Sequence, residues 1–186
     1  MKRLFDFFFG LILLIILAVP MLLIAAAIRI DTKGPVLYWS DRVGRFNVIF
    51  KMPKFRSMRT DTPAMASHLM KDPNSFISPM GAFLRRSSID ELPQLFSIIR
   101  GDMSFVGPRP ALFNQDDLVN LRTINGVDNL LPGVTGWAQV NGRDNLSIPD
   151  KVAFDIEYLN QMSFWFDFKI LVKTILKVIK RDNISH

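Results

Sequence analysis

The sequence predicts an α+β fold that is mainly helical and carries a long apolar helix at its N-terminus. Two observations support this prediction: residues 7–28 contain no charged side chain, and residues 163–180 combine a wide apolar face with lysines at helical spacing. A third is a pair of short strand-like segments around a turn that contains a glycine. Helices at both ends of the chain are therefore expected to flank a smaller mixed region.

The first element is the N-terminal apolar segment. As a helix, residues 7–28 would cover about 33 Å, enough to cross the hydrocarbon core of a bilayer. The segment lacks the cleavage site of a secretory signal, so we expect it in the mature protein. Pro20 lies inside it, and basic residues flank both ends, including Arg29 and Lys33. Residue chemistry alone favours a single span kinked at Pro20; the alternative is a helix that breaks there and returns to the same face.

The second element is a small β-hairpin. Residues 34–40 and 47–52 read as two short strands, with the turn at 43–46. The middle of the chain after them is rich in glycine and proline and is expected to consist largely of loops. Helices are further expected at residues 81–86, 92–99, 114–123 and from 148 onwards, with a loop at 61–78.

The C-terminal element is an amphipathic helix at residues 163–180. Its aromatic and aliphatic side chains are typical of a helix that lies in the headgroup region of a membrane, where lysines meet lipid phosphates. The alternative is a core helix with a solvated lysine face. The lysine stripe consists of Lys169, Lys173, Lys177 and Lys180.

Composition limits the chemistry that the chain can perform. Its 186 residues suit one domain, and a net charge of +6 favours anionic partners such as phosphates, acidic lipids or nucleic acid. The absence of cysteine excludes disulfides, thiolate metal sites and cysteine nucleophiles. Two histidines argue against a histidine-based metal site.

The adjacent acids Asp90 and Glu91 are the first candidate site residues. A capping box is one interpretation, because Ser88 and Glu91 have the spacing at which two side chains satisfy each other's backbone amides. The other is a phosphoryl-transfer site, which needs a carboxylate that attacks phosphorus or holds a divalent cation, and cations that offset phosphate charge. The neighbouring cations are Lys51, Lys54, Arg56, Arg59, Arg85, Arg86 and Arg109.

Two further segments carry candidate binding residues. Arg109 lies between two prolines, which restrict the backbone and favour bidentate phosphate binding by the guanidinium. Residues 132–143 combine glycines, which would let a ligand approach the backbone, with donors on Gln139, Asn141 and Arg143. A solvated arginine at a turn and a glycine-rich surface loop are the plain structural alternatives.

Taken together, these segments resemble the small monotopic phosphoglycosyltransferases, a bacterial sugar transferase family that starts glycan assembly on undecaprenyl phosphate. The resemblance covers almost the whole chain, and the matching segments occur in the family's order. They are residues 2–6, 51–58, 87–95, 101–110, 132–143 and 163–165.

The resemblance implies a covalent mechanism on a UDP-sugar. Asp90 would attack the β-phosphate and release UMP, and undecaprenyl phosphate would then accept the sugar phosphate. Glu91 would complete the dyad, and Mg²⁺ would be held by Asp90 and Glu91. Lys54, Arg85, Arg109, Gln139, Arg143 and Asp155 are the substrate-binding candidates, although Asp155 reads equally well as a structural acid on a helix.

The resemblance also implies a topology and a set of partners. Residues 1–30 would form a re-entrant membrane helix broken at Pro20, and residues 31–186 a catalytic domain on the cytoplasmic face of the bacterial inner membrane. Val19 departs from the serine that the family has before this proline. The expected partners are a UDP-sugar with an N-acetylated sugar or deoxysugar, undecaprenyl phosphate and membrane lipid, with no nucleic acid and with a homodimer left open.

Two rival functions come from other classes. A non-catalytic peripheral membrane protein would use its basic residues to bind anionic lipid and the acidic pair only as a helix cap. A nucleic-acid binder is the weaker rival, because no recognition motif accompanies the positive charge.

Overall fold

The computed structural model of the chain describes residues 2–59, 62, 76–142 and 145–180. The described elements, in chain order, are α1 (Lys2–Asp31), β1 (Leu37–Val43), β2 (Ile49–Phe55), α2 (Pro79–Arg86), α3 (Gln94–Arg100), β3 (Ser104–Val106), α4 (Asp116–Ile124), β4 (Gly133–Thr135), α5 (Trp137–Asn141), α6 (Ile148–Gln161) and α7 (Phe164–Lys180). Helices thus dominate, as predicted.

Helix α1 is a continuous helix of 30 residues with Pro20 inside it. Among the described helices it is the one long and apolar enough to cross a membrane by length and composition. One side of it is a row of exposed large apolar residues, such as Ile15, Val19 and Leu22, and the other side packs on the rest of the protein.

Both ends of α1 are tied to the domain by polar contacts. At the N-terminal end, Lys2 pairs with Asp167 of α7, and Arg3 donates to the carbonyl oxygens at the end of α3. At the C-terminal end, Arg56 donates to the carbonyl oxygen of Thr32 at 2.7 Å. Helix α1 therefore lies along the domain from its first turn to its last.

The predicted hairpin is confirmed, with strands displaced towards the C-terminus. Strands β1 and β2 are antiparallel, and Tyr38 pairs with Lys54. The first strand starts later than expected because Pro35 has no N–H to donate to a ladder. The second strand continues through Pro53, which a two-stranded sheet tolerates at its edge, and this extension carries Lys54.

The other predicted helices appear as α2, α3, α4, α6 and α7. The predicted loop at 61–78 lies largely outside the described residues. A short parallel pair, β3 with β4, was not predicted. Gly133 and Gly136 allow this pairing, since a Cβ at either would lie 2.1 Å from the backbone of Gly107. The expectation that these glycines make room for a ligand is therefore wrong: they make room for another loop.

The main core joins the helices of the C-terminal half to α3. Ile98, Met103, Tyr158 and Ile170 are fully buried in it. On α7, Phe166 and Ile170 face this core, while the exposed side of the helix carries large apolar side chains: Phe164, Trp165, Phe168, Val172, Ile175, Leu176 and Val178. Lys169 and Lys177 are exposed as well, so the outer surface of α7 carries both lysines and large apolar side chains.

Candidate active site

The acidic pair lies on a 3₁₀ turn, Ile89–Glu91, between α2 and α3. Ser88 precedes it in a left-handed conformation, with φ of 56°, and its side chain makes no capping hydrogen bond. The capping-box interpretation is therefore wrong. The left-handed backbone at Ser88 does not present the hydroxyl to the turn, and the Glu91 carboxylate is bound elsewhere.

Glu91 connects the hairpin to the proline-flanked arginine. Lys54 Nζ donates to Glu91 Oε1 at 2.7 Å, and Arg109 Nη2 lies 3.8 Å from the same oxygen. The side chains of Lys54 and Glu91 are only 17% and 14% exposed, so water screens this ion pair weakly. Residues far apart in sequence thus meet at one carboxylate.

The electrostatic environment of Asp90 shifts the pKa of its carboxyl. The pKa of its carboxyl is raised to about 6, mainly by burial and also by the charge of Glu91, while the charges of Lys54, Arg85 and Arg109 oppose the shift. A carboxylate with a raised pKa is a stronger base than usual yet still mostly ionised at neutral pH. Asp90 therefore combines the two properties that a carboxylate nucleophile requires.

Arg85 is positioned beside Asp90 by the segment that follows the hairpin. Its Nε donates to Ser57 Oγ at 2.8 Å. Burial lowers the pKa of its guanidinium, and the charge of Asp90 opposes that effect. Arg85 thus belongs to the same electrostatic cluster as the dyad.

Two arginines that sequence reasoning missed hold the backbone around Arg109. Arg122 Nη1 donates to the carbonyl oxygen of Arg109 at 2.8 Å, and Arg42 Nη1 donates to that of Pro110 at 3.3 Å. Asp155, itself buried, accepts from Arg122 at 2.7 and 2.9 Å. Asp155 therefore acts on Arg109 through Arg122, which makes it a positioning residue.

Arg42 also contributes positive charge near the dyad. Burial, and next the charge of Arg109, lower the pKa of its guanidinium to about 10, while Glu91 raises it. No sequence motif identifies Arg42, because its position depends on the pairing of β1 with the chain near Leu112. No motif identifies Arg122 either, because only the packing of α4 on α6 brings it to Asp155.

The remaining candidates differ in where they lie. Gln139 lines a cavity beside Glu91 and Arg109, and its Nε2 donates to the carbonyl oxygen of Val134 at 2.9 Å. Arg143 lies outside the described residues. Of the other nearby cations, Lys51 pairs with Asp41 on the hairpin and Arg56 binds the end of α1, so these two serve the frame.

A cavity of about 420 Å³ extends from the dyad to the apolar helices. Glu91 and Arg109 line it together with Leu13 and Leu17 of α1. Its other lining residues are Ser88, Leu92, Leu95, Phe105, Val134, Thr135, Gln139, Val140, Gly142, Asn145, Thr174, Lys177 and Val178. A ligand in this cavity would contact both the charged cluster and the helix with the exposed apolar face.

In the described part of the site, a divalent cation would be held by the carboxylates of Asp90 and Glu91, of which Glu91 also accepts from Lys54. No group of three or more acidic or histidine side chains with metal-binding geometry occurs within residues 2–59, 62, 76–142 and 145–180. Mg²⁺ is often bound by one or two carboxylates, with substrate phosphates and water as its other ligands. The donor set of the dyad fits that pattern.

The chain is similar in sequence to known proteins. The sequence model described as bacterial sugar transferase matches residues 1–181. The undecaprenyl-phosphate glucose phosphotransferase of Komagataeibacter xylinus is 40% identical over 98% of this chain and 36% of its own length. The uncharacterized sugar transferase EpsL of Bacillus subtilis is 37% identical over 100% of this chain and 90% of its own length.

A third relative is the undecaprenyl-phosphate galactose phosphotransferase of Salmonella typhimurium. It is 36% identical over 98% of this chain and 41% of its own length. The chain thus spans less than half of the two phosphotransferases, from Komagataeibacter xylinus and Salmonella typhimurium, and 90% of EpsL from Bacillus subtilis.

Proposed function

The chain belongs to the bacterial sugar transferase family, and from this premise we propose that it transfers a sugar-1-phosphate from a UDP-sugar to undecaprenyl phosphate and releases UMP. The observation that carries the proposal is a partly buried carboxylate, Asp90, among the cations of Lys54, Arg85 and Arg109. Glu91 and Arg109 of this cluster line a cavity that reaches the apolar helix α1. This arrangement suits one polar and one lipid-borne substrate.

The first half-reaction forms a bond to the enzyme. A carboxylate oxygen of Asp90 attacks the β-phosphorus, the bond from that phosphorus to the bridging oxygen breaks, and the electron pair leaves with UMP. Arg109, Arg85 and Lys54 offset the negative charge that accumulates on the phosphoryl oxygens. The product is an acyl phosphate, in which the sugar phosphate is bonded through phosphorus to a carboxylate oxygen of Asp90.

The second half-reaction regenerates the carboxylate. A phosphate oxygen of undecaprenyl phosphate attacks the same phosphorus, and the bond from phosphorus to the Asp90 oxygen breaks. The sugar is then linked to the lipid through a diphosphate. Because Asp90 returns to its starting state, the cycle balances without any other reactant.

Asp90 and Glu91 are also the residues that would hold Mg²⁺. When bound, the ion would supply positive charge to the phosphate oxygens of the donor. The contribution of Glu91 itself is to hold Lys54 and Arg109 beside Asp90.

The names of the relatives indicate which sugars to test first. Those names mention glucose and galactose, so these two hexoses precede the N-acetylated sugar or deoxysugar that the family resemblance suggested. The test is to incubate the purified protein in nanodiscs with Mg²⁺, undecaprenyl phosphate and each UDP-sugar in turn. Formation of lipid-linked sugar and free UMP from one of these UDP-sugars would support the proposal. If no UDP-sugar gave lipid-linked sugar or UMP, a non-catalytic peripheral membrane protein would be favoured.

We expect the first half-reaction to depend on pH through Asp90. Burial raises the pKa of this carboxyl from 3.8 to about 6, so the nucleophilic carboxylate is lost as pH falls through about 6. UMP release without acceptor should therefore rise from about pH 5 and level off above about pH 7. Tryptophan fluorescence at each pH would show that the protein stays folded. A rate that is constant over this range in folded protein would contradict the assignment.

For the membrane topology, we propose that α1 is re-entrant and that the protein lies on the cytoplasmic face of the inner membrane. The support is that contacts with one domain hold both ends of α1, at Lys2 and at Thr32. A helix that crossed the bilayer would place these ends on opposite faces.

The cysteine-free chain makes this topology directly testable. One cysteine is placed before Met1 and, in a second protein, another replaces Lys33. An impermeant maleimide should label both in inverted vesicles and neither in intact spheroplasts. Labelling of the two positions from opposite sides would establish a simple span instead.

A further inference from the structure

Helices from opposite ends of the chain line the same cavity. Leu13 and Leu17 of α1 form one part of its wall, and Thr174, Lys177 and Val178 of α7 form another. Both helices also carry exposed apolar faces. A ligand that joins a phosphate to a hydrocarbon chain could therefore keep its chain against the apolar helices while its phosphate reaches the polar lining.

Lys177 is the second cation of this cavity. Of the described lining residues, only Arg109 and Lys177 are cationic, and Arg109 already lies 3.8 Å from Glu91. Within the described residues, no carboxylate oxygen lies within 4.0 Å of Lys177 Nζ. A phosphate in the cavity would supply the anion that Lys177 lacks there.

Lys177 differs in this respect from the lysines before it on α7. The ammonium groups of Lys169 and Lys173 lie 5.4 and 4.5 Å from the ring centre of Trp137, so both have an aromatic partner. Neither lines the cavity. A hydrogen bond of 2.7 Å between the hydroxyls of Thr135 and Thr174 fixes α7 against β4 one turn before Lys177.

We propose that Lys177 binds the phosphate of the polyprenyl phosphate acceptor, with the start of its hydrocarbon chain against Leu13 and Leu17. The inference rests on the proposed function and names the residue that receives its second substrate. Lys177 holds the acceptor so that a phosphate oxygen can attack the phosphorus on Asp90. Its contribution therefore lies in the second half-reaction.

The test compares Lys177→Ala with Lys173→Ala, which removes the same charge from the same helix one turn earlier. Each protein in nanodiscs first receives UDP-sugar without acceptor, and the UMP burst is measured; undecaprenyl phosphate is then added at increasing concentration. Lys177→Ala should retain the burst and raise the acceptor concentration needed for half-maximal discharge about 10-fold. Lys177→Arg should restore most of the loss, and Lys173→Ala should resemble the wild type.

Three outcomes would overturn the inference, and they are distinguishable. A burst that falls in Lys177→Ala while acceptor dependence is unchanged would assign Lys177 to the nucleotide-sugar. Equal acceptor effects of Lys173→Ala and Lys177→Ala would indicate general attraction of the surface for the lipid. Absence of UMP from the wild type with every sugar would remove the proposed function itself, and this inference with it.

Discussion

Asp90→Asn is expected to abolish UMP release from the UDP-sugar, with a loss of about four orders of magnitude or more. The amide cannot form the bond to phosphorus, yet it has nearly the shape of the carboxyl group. Lys54, Arg85 and Arg109 would remain in place to bind the donor. The measurement is the UMP burst without acceptor, followed by donor binding to the inactive variant.

Thermal unfolding of the same variant separates lost chemistry from lost folding. The pKa of Asp90 is raised from 3.8 to about 6, so the folded protein binds this proton more tightly than the unfolded chain. The ionised group therefore destabilises the fold as pH rises above the unfolded-state pKa, and this effect is complete above about pH 6. Removing the charge at pH 8 should stabilise the protein by roughly 1–3 kcal/mol.

Asp41→Asn is the matched control, because Asp41 pairs with Lys51 on the exposed hairpin. It should keep the activity of the wild type. If Asp90→Asn released UMP as fast as Asp41→Asn, Asp90 would not be the nucleophile. If Asp90→Asn lost activity only because its unfolding temperature fell, the assignment would lose its support.

The second large effect is expected at Arg109. Arg109→Ala should lower kcat/KM for the UDP-sugar by about 10²–10³-fold, because it removes a guanidinium directed at the charge that develops on the phosphoryl oxygens. Because the backbone around Arg109 is held in place, we do not expect another side chain to move into the position of its guanidinium. Pro108 and Pro110 restrict the backbone, while Arg122 and Arg42 hold the carbonyl oxygens of Arg109 and Pro110.

Two further variants sharpen the Arg109 experiment. Arg109→Lys should recover only part of the activity, since an ammonium group cannot make two parallel hydrogen bonds to a phosphate. Arg45→Ala removes an arginine that donates to Asn129 outside the site, and it should behave like the wild type. Full activity of Arg109→Ala would show that this arginine does not contact the transferred group.

Local sequence patterns predicted the first and last helices, whose apolar residues form a long uncharged run in one and a periodic pattern in the other. The uncharged run around Pro20 and the amphipathic segment at the C-terminus both form helices with exposed apolar faces. What these patterns could not predict is that the two helices meet. The ion pair of Lys2 with Asp167 joins residues 165 apart in sequence, and no local rule specifies such a contact.

The same limit applies to the candidate site. Asp90, Glu91, Lys54, Arg85 and Arg109 were predicted, because charged residues beside a turn and beside prolines are visible in the sequence. Their clustering depends on where β2 places Lys54 and on where the 3₁₀ turn places the dyad.

Residues whose role depends on tertiary contacts were missed or read differently. Arg42 and Arg122 bind backbone carbonyl oxygens, and because every residue has one, the sequence does not indicate which of them an arginine will reach. Ser88 fitted a capping pattern that its left-handed backbone does not support. Gly133 and Gly136 fitted a ligand-binding loop, but the backbone that approaches them belongs to Gly107. In each case a valid local pattern was overridden by packing.

The central claim is that a sugar phosphate becomes bonded to Asp90. The direct measurement is mass spectrometry of the wild type after incubation with Mg²⁺ and the UDP-sugar that the panel selects, without acceptor, followed by digestion. The peptide that contains Asp90 should gain the mass of one sugar phosphate, lose it when undecaprenyl phosphate is added, and remain unmodified in Asp90→Asn. Labelled lipid formed with no modified peptide at any time, or a modification that persists in Asp90→Asn, would contradict the account.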